Sequence, residues 1–266
     1  MSKVSLVISD VDGTLLTRDK VLTARAQAAV KALSGAGIAF AITSGRPPKG
    51  MAMLVEPLAL KTPIGGFNGA IFVKPDMTVI EEHMFALGCA QEAMEIILEG
   101  GLDVWVYSGC DWLIRDPNAP HVAREQWVVK FAPKIVADLG SGLGHAVKIT
   151  GISDDRDAVA RCEAKLRQQL GARASIVRSQ PYYIDVTHPD ANKGVVVSTL
   201  SRILSIPTDR ILAIGDMPSD MPMFRKSGIS VAMGNADAEV KAQALFVTES
   251  NEDEGFAQAM ERFVLQ

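Results

Sequence analysis

Cysteine is scarce in this 266-residue chain: Cys89, Cys110 and Cys162 are the only three, odd in number and far apart, with no Cys-x-x-Cys pair and no Cys/His cluster. They fit neither a disulfide framework nor a zinc site and are expected to be free thiols. Long apolar runs are missing too, since no stretch reaches the roughly 18 residues of a membrane-spanning helix. The chain passes from Met-Ser-Lys straight into an apolar run, without the charged leader and small-residue cleavage site of a signal peptide. The expectation is a cytoplasmic protein with no membrane partner. A basic surplus is also lacking: 27 Lys and Arg stand against 31 Asp and Glu, a net charge of −4. Such a balance provides no basic surface for nucleic acid, and a phosphorylated ligand must be held by local positive groups. His83, His121, His145 and His188 show no metal-ligand spacing and are expected at the surface or in turns.

What is plentiful is apolar residues, 48% of the chain, enough for a sizeable core, and the length suggests roughly two domains. Residues 4–8 form a short apolar run without helical period, which predicts a buried parallel strand. Ala26, Ala29, Val30 and Leu33 recur at helical spacing after the N-cap candidate Thr23, and Gly35 or Gly37 offers a stop. Residues 38–42 make a second strand, so the unit is a right-handed βαβ crossover in a parallel sheet. A short helix, a strand at 64–67, a turn at Asn68-Gly69 and further strand pieces at 70–73 and 78–82 follow.

From about residue 84 to 186 the pattern changes. Helices are expected at 91–99, 121–130 and 154–170, and strands at 102–107, 112–115, 146–150, 175–178 and 182–186. After residue 192 the earlier alternation resumes, with strands at 211–214 and 229–232 and helices at 219–227, 237–243 and 255–263. The fold class is therefore α/β: a Rossmann-like, doubly wound parallel sheet core, residues 1–83 and 188–266, with an inserted α+β domain at 84–187.

The chemistry-bearing residues sit where strands end. Asp10-Val11-Asp12-Gly13-Thr14 follows the first strand, and open α/β sheets bind ligands beyond their carboxyl edge. Alternation along an extended chain puts Asp10 and Asp12 on one side, and a hard cation such as Mg²⁺ would relieve their repulsion. Thr43-Ser44-Gly45-Arg46-Pro47 follows the second strand, Asn192-Lys193-Gly194 opens a helix, and Gly215-Asp216-Met217-Pro218-Ser219-Asp220 follows the strand at 211–214. These four segments, in this order, resemble the motifs of the haloacid dehalogenase-like superfamily of phosphohydrolases. The α+β insertion between the second and third is similar to the large cap of its Cof-type, sugar-phosphatase-like subgroup.

The resemblance implies a Mg²⁺-dependent phosphatase of a small phosphorylated metabolite, with a sugar phosphate as the expected class. It implies Asp10 as nucleophile, Asp12 as general acid and base, and Ser44 and Lys193 as contacts of the transferring phosphoryl group. Mg²⁺ would be held by Asp10, the backbone carbonyl of Asp12, and Asp216, with Asp220 in or near its shell. Gly45 and Arg46, Asn68 and Gly69, and Asn235 match segments near the family's substrate. Asn68-Gly69 is equally a turn dipeptide, and Asn235 could simply cap a helix. The fourth motif departs from the usual Gly-Asp-x-x-Asn-Asp, with Ser219 at the Asn position. Alternatives are a phosphomutase of the same superfamily, a phosphoacceptor module and a catalytically weak phosphometabolite binder. A receiver-like module would be about half this length and needs no second acid. In the insertion Tyr107, Trp112, Trp127, Tyr182 and Tyr183 are candidate pocket aromatics. The expected partner is a small molecule, with the protein a monomer or small homo-oligomer.

Overall fold

In this computed structural model residues 4–265 are described. The chain forms two compact units. One comprises residues up to Gly45, Met51–Ile80 and the chain from Asn192 on; the other comprises Arg46–Gly50 and Glu81–Ala191. No helix among the described residues is long and apolar enough to cross a membrane. The three cysteines are free, Cys89 and Cys162 being buried.

In chain order the strands are β1 (Leu6–Asp10), β2 (Ala39–Thr43), β3 (Ile64–Gly66), β4 (Ile71–Val73), β5 (Val79–Glu82), β6 (Asp103–Ser108), β7 (Asp111–Ile114), β8 (Lys134–Ile135), β9 (Ala146–Ile152), β10 (Ser175–Gln180), β11 (Tyr183–Thr187), β12 (Ile211–Gly215), β13 (Ile229–Ala232) and β14 (Phe246–Val247). The α-helices are α1 (Ala24–Gly35), α2 (Leu87–Glu99), α3 (Val122–Val129), α4 (Arg156–Leu170), α5 (Lys193–Leu204), α6 (Met221–Lys226), α7 (Ala238–Ala242) and α8 (Gly255–Phe263).

Eight strands make one sheet in the order β14-β13-β12-β1-β2-β3-β4-β5. From β14 to β3 all pairings are parallel, and β3 and β4 form the antiparallel hairpin. β1 is central and buried along its whole length, as a strand covered on both faces must be. Leu6 and Ile8 point to the face packed by Val196, Val197 and Leu200 of α5 and by Met223 and Phe224 of α6. On the other face Phe40 of β2 meets Phe256 of α8 edge to face, and α1 packs on α8. Each such buried side chain contributes on the order of 1.5–3 kcal/mol. The topology brings the carboxyl ends of β1, β2 and β12 side by side.

The other unit is a six-stranded sheet, β10-β11-β9-β6-β7-β8, backed on one face by α2 and α4. Three expectations need correction. The first helix here starts at Leu87 rather than 91, with Cys89 and Ala90 adding a buried turn. The single helix at 219–227 is a 3₁₀ turn, Pro218–Asp220, followed by α6, because Pro218 and Pro222 lack the N–H groups that a continuous helix would use. β1 ends at Asp10: Leu15 and Leu16 donate to the Val11 carbonyl, so the chain turns there instead of running extended to Asp12.

Candidate active site

Asp10 closes β1 and is buried. Beside it β12 delivers Asp216 and, after the 3₁₀ turn, Asp220, which is fully buried. Asn192 caps α5 by accepting from Gly194 and Val195, which sets Lys193 at the first helical position. Its ammonium, also buried, donates to Asp10 Oδ1 at 2.6 Å and to Asp220 Oδ1. The second oxygen of Asp220 accepts from the backbone N–H groups of Asp216 and Met217 at 2.9 and 2.8 Å. Asp220 thus fixes both the lysine and the turn that carries Asp216.

Asp216 is oriented by Thr14, to which the sequence reading gave no role, and by Asn235, which it placed near the substrate or at a helix cap. Thr14 donates to Oδ1 at 2.8 Å, and Asn235 Nδ2 donates to Oδ2 at 3.2 Å and to the Gly13 carbonyl at 2.9 Å. Asn235 therefore does not cap α7: its Oδ1 accepts instead from the Asn251 N–H at 3.1 Å. Gly13 has φ +80°, and a Cβ there would collide with the Asp216 carboxylate, so glycine is required twice over. Thr14 sits inside the first motif, and that placement was the signal available for it.

Burial pushes the Asp10 carboxyl well above its ordinary range, against the pull of Lys193 and with the repulsion of Asp220 and Asp216 added. Burial likewise lifts Asp216 to about 6, opposed by the Thr14 hydrogen bond and aided by Asp220. Desolvation alone would lower the Lys193 ammonium, but Asp10 and Asp220 outweigh it and raise it. Three carboxylates thus face one cation. Oxygens of Asp10, Asp216 and Asp220 lie within 4.8 Å of one another, and an all-carboxylate donor set suits a hard divalent ion.

The remaining candidates are distributed as follows. Asp12 is not in the carboxylate cluster; its side chain pairs with Lys20 at 2.6 Å and is partly exposed, because the chain has turned at Val11. Ser44 is buried at the end of β2, its N–H donating to the Gly65 carbonyl and its carbonyl accepting from Asn68. The Asn68 side chain lies against Gly45, while a Cβ on Gly69 would come within 3.0 Å of the Asn192 carbonyl. Asn68 and Gly69 thus join the loop after β2 to the start of α5. Arg46 belongs to the other unit, where it donates to the Gly50 carbonyl at 3.2 Å. Ser219 is exposed on the 3₁₀ turn.

A buried lysine-bridged carboxylate cluster at the carboxyl edge of a doubly wound parallel sheet, where such sheets bind their ligands, has the character of a hydrolase active site. The match confirms it: residues 7–260 fit the haloacid dehalogenase-like hydrolase family, and the chain belongs to that family. It is similar to the HMP-PP phosphatase of Cronobacter sakazakii, 29% identical over 238 residues that cover 88% of this chain and 85% of the relative. The fold matches that of a haloacid dehalogenase-like hydrolase from Bacteroides thetaiotaomicron with TM-score 0.90 at 25% identity, covering 98% and 99% of the two chains. It also matches a sugar phosphatase of subclass IIB with TM-score 0.84 at 21% identity, covering 97% and 98%. The protein is an enzyme of this hydrolase family, and the relatives it resembles bear the names of phosphatases.

Asn235→Ala and Thr14→Val are expected to keep the fold and weaken divalent-cation affinity by about 10- to 100-fold, because each side chain holds the Asp216 carboxylate in place. Isothermal titration of each variant with Mg²⁺ checks this; unchanged affinity would remove both from the site.

Proposed function

We propose that the enzyme is a Mg²⁺-dependent phosphatase of a small phosphorylated metabolite, with a sugar phosphate as the class, acting through an aspartyl-phosphate on Asp10. The observation that carries this reading is Asp10 itself, buried at the end of β1, hydrogen-bonded to Lys193 and grouped with Asp216. The names of the relatives support the same class.

Uncatalysed phosphate monoester hydrolysis is extremely slow, so charge neutralisation and in-line placement must supply the acceleration. Asp10 attacks phosphorus as the bond to the leaving alcohol breaks, and Asp12 gives that oxygen a proton. In the second half Asp12 takes a proton from water as it attacks the phosphoenzyme, releasing inorganic phosphate and restoring Asp10. Lys193 holds the Asp10 oxygen in place and neutralises charge on the transferring group, with Ser44 as a hydroxyl donor. Asp10, Asp216 and the carbonyl of Asp12 would hold the Mg²⁺, with Asp220 behind them. When bound, the cation supplies further neutralisation of phosphoryl charge. The inserted unit, 84–187, serves as the cap that excludes water and selects the leaving group.

Phosphate release from a panel of phosphorylated metabolites, with Mg²⁺ and with chelator, tests this reading; no release from any phosphomonoester would overturn it. Independently of turnover, Mg²⁺ at 100 times its Kd should stabilise the fold by about 2.7 kcal/mol, visible as a rise in Tm. Asp216→Asn should lose that rise.

A further inference from the structure

Between β1 and α1 the chain doubles back in a small loop. The Thr17 N–H donates to the Val21 carbonyl at 3.0 Å and the Lys20 N–H to the Thr17 carbonyl at 2.9 Å, while the Val21 N–H reaches the Thr17 hydroxyl at 3.2 Å. Lys20 closes this loop with φ +63°, a left-handed conformation that glycine or asparagine adopts at lower cost. A lysine held there carries strain, and strained backbone collects where a side chain must be aimed. Its ammonium meets Asp12 Oδ1 at 2.6 Å. The two side chains are 20% and 29% exposed, and a pair that open to water adds little to stability. Stability alone therefore does not account for a lysine at this position.

A second segment, residues 250–254, braces the same loop. Asn251 Nδ2 donates to the Leu16 carbonyl at 3.0 Å, the Arg18 N–H donates to Glu252 Oε1 at 2.7 Å, and the Thr23 hydroxyl donates to Glu254 Oε2 at 2.7 Å. From this segment the Asn251 N–H also reaches Asn235 Oδ1 at 3.1 Å, and Asn235 in turn holds Asp216. One short stretch of chain thus fixes both the loop that carries Lys20 and a carboxylate of the buried cluster. All of these residues belong to the same compact unit.

We infer that Lys20 is a positioning residue for proton transfer, holding the Asp12 carboxylate in the orientation in which it serves as acid and base. The inference rests on the phosphatase reading above. Asp12 lies beyond the end of β1 and outside the buried carboxylate cluster, so its side chain needs another anchor. A general acid works only within hydrogen-bond reach of the atom that it protonates, and fixing Oδ1 on Lys20 sets the plane and direction of the carboxyl group. Lys20 acts through Asp12 and does not itself exchange the proton.

The test compares p-nitrophenyl phosphate with phenyl phosphate, with Mg²⁺, in the full chain. The two esters are similar in shape, but nitrophenolate departs without a proton and phenolate is the poorer leaving group. Lys20→Met, which keeps a long apolar stem and drops the charge, should lower kcat/KM for phenyl phosphate about 10-fold further than for p-nitrophenyl phosphate, a part of the roughly 10²- to 10⁴-fold that a general acid supplies. Lys20→Arg, which keeps the cation, should recover part of that difference. In an Asp12→Ala background Lys20→Met should change neither value further, since residues that act as one unit are not additive. Equal losses on the two esters, no loss on either, no recovery with arginine, or a further loss in the Asp12→Ala background would each overturn the inference. If wild type hydrolyses neither ester, the phosphatase reading falls and the inference with it.

Discussion

Asp10→Asn should abolish phosphate release, by about four orders of magnitude or more, the scale on which an enzyme loses its covalent nucleophile. The fold should survive. Lys193 keeps Asp220 as a partner, and the amide relieves the repulsion from Asp216 and Asp220 that helps to hold the Asp10 carboxyl high. Circular dichroism and a Tm at or above the wild-type value should accompany the lost activity. Asp12→Ala should behave differently. An aryl leaving group departs without an acid, so a trace of aryl phosphatase activity remains where alkyl phosphates give none. Wild-type turnover in Asp10→Asn would dismiss the mechanism.

Lys193→Ala should lose both activity and stability. The rate should fall by about 100-fold or more, since the chain has no basic surplus to replace the cation at the phosphoryl group. Stability should fall by roughly 3–5 kcal/mol, because Asp10 and Asp220 would stay buried without their counter-ion. Chemical denaturation measures the second effect and steady-state kinetics the first. Adding Asp220→Asn should return part of the stability and none of the activity, since the two sites share one ion-pair network. A loss of only a few-fold in rate would move the cationic role elsewhere, Arg46 being the first residue to examine.

The elements that hold the site were legible because local pattern and burial agree. The apolar run before Asp10, the period of α1 with its Thr23 cap, and the Asn192 cap that places Lys193 each carry their signal within a few residues. What was not legible depends on contacts far apart in sequence. Lys193 meets Asp10 across 183 residues and Thr14 meets Asp216 across 202. No spacing rule shows that Asn235 holds Asp216 rather than capping α7. The turn at Val11 was missed because strand alternation was extended two residues too far, from Asp10 to Asp12, although the Val11 carbonyl already accepts from Leu15 and Leu16. β8 and β14, two residues each, are too short for a period to register.

The most direct measurement of the central claim is mass spectrometry of the enzyme quenched in acid during turnover of an aryl phosphate with Mg²⁺. The account predicts a phosphoryl adduct on the peptide containing Asp10, accumulating further in Asp12→Ala, where the water-activating base is gone, and absent from Asp10→Asn. An adduct on any other residue, or turnover that persists in Asp10→Asn, would contradict it.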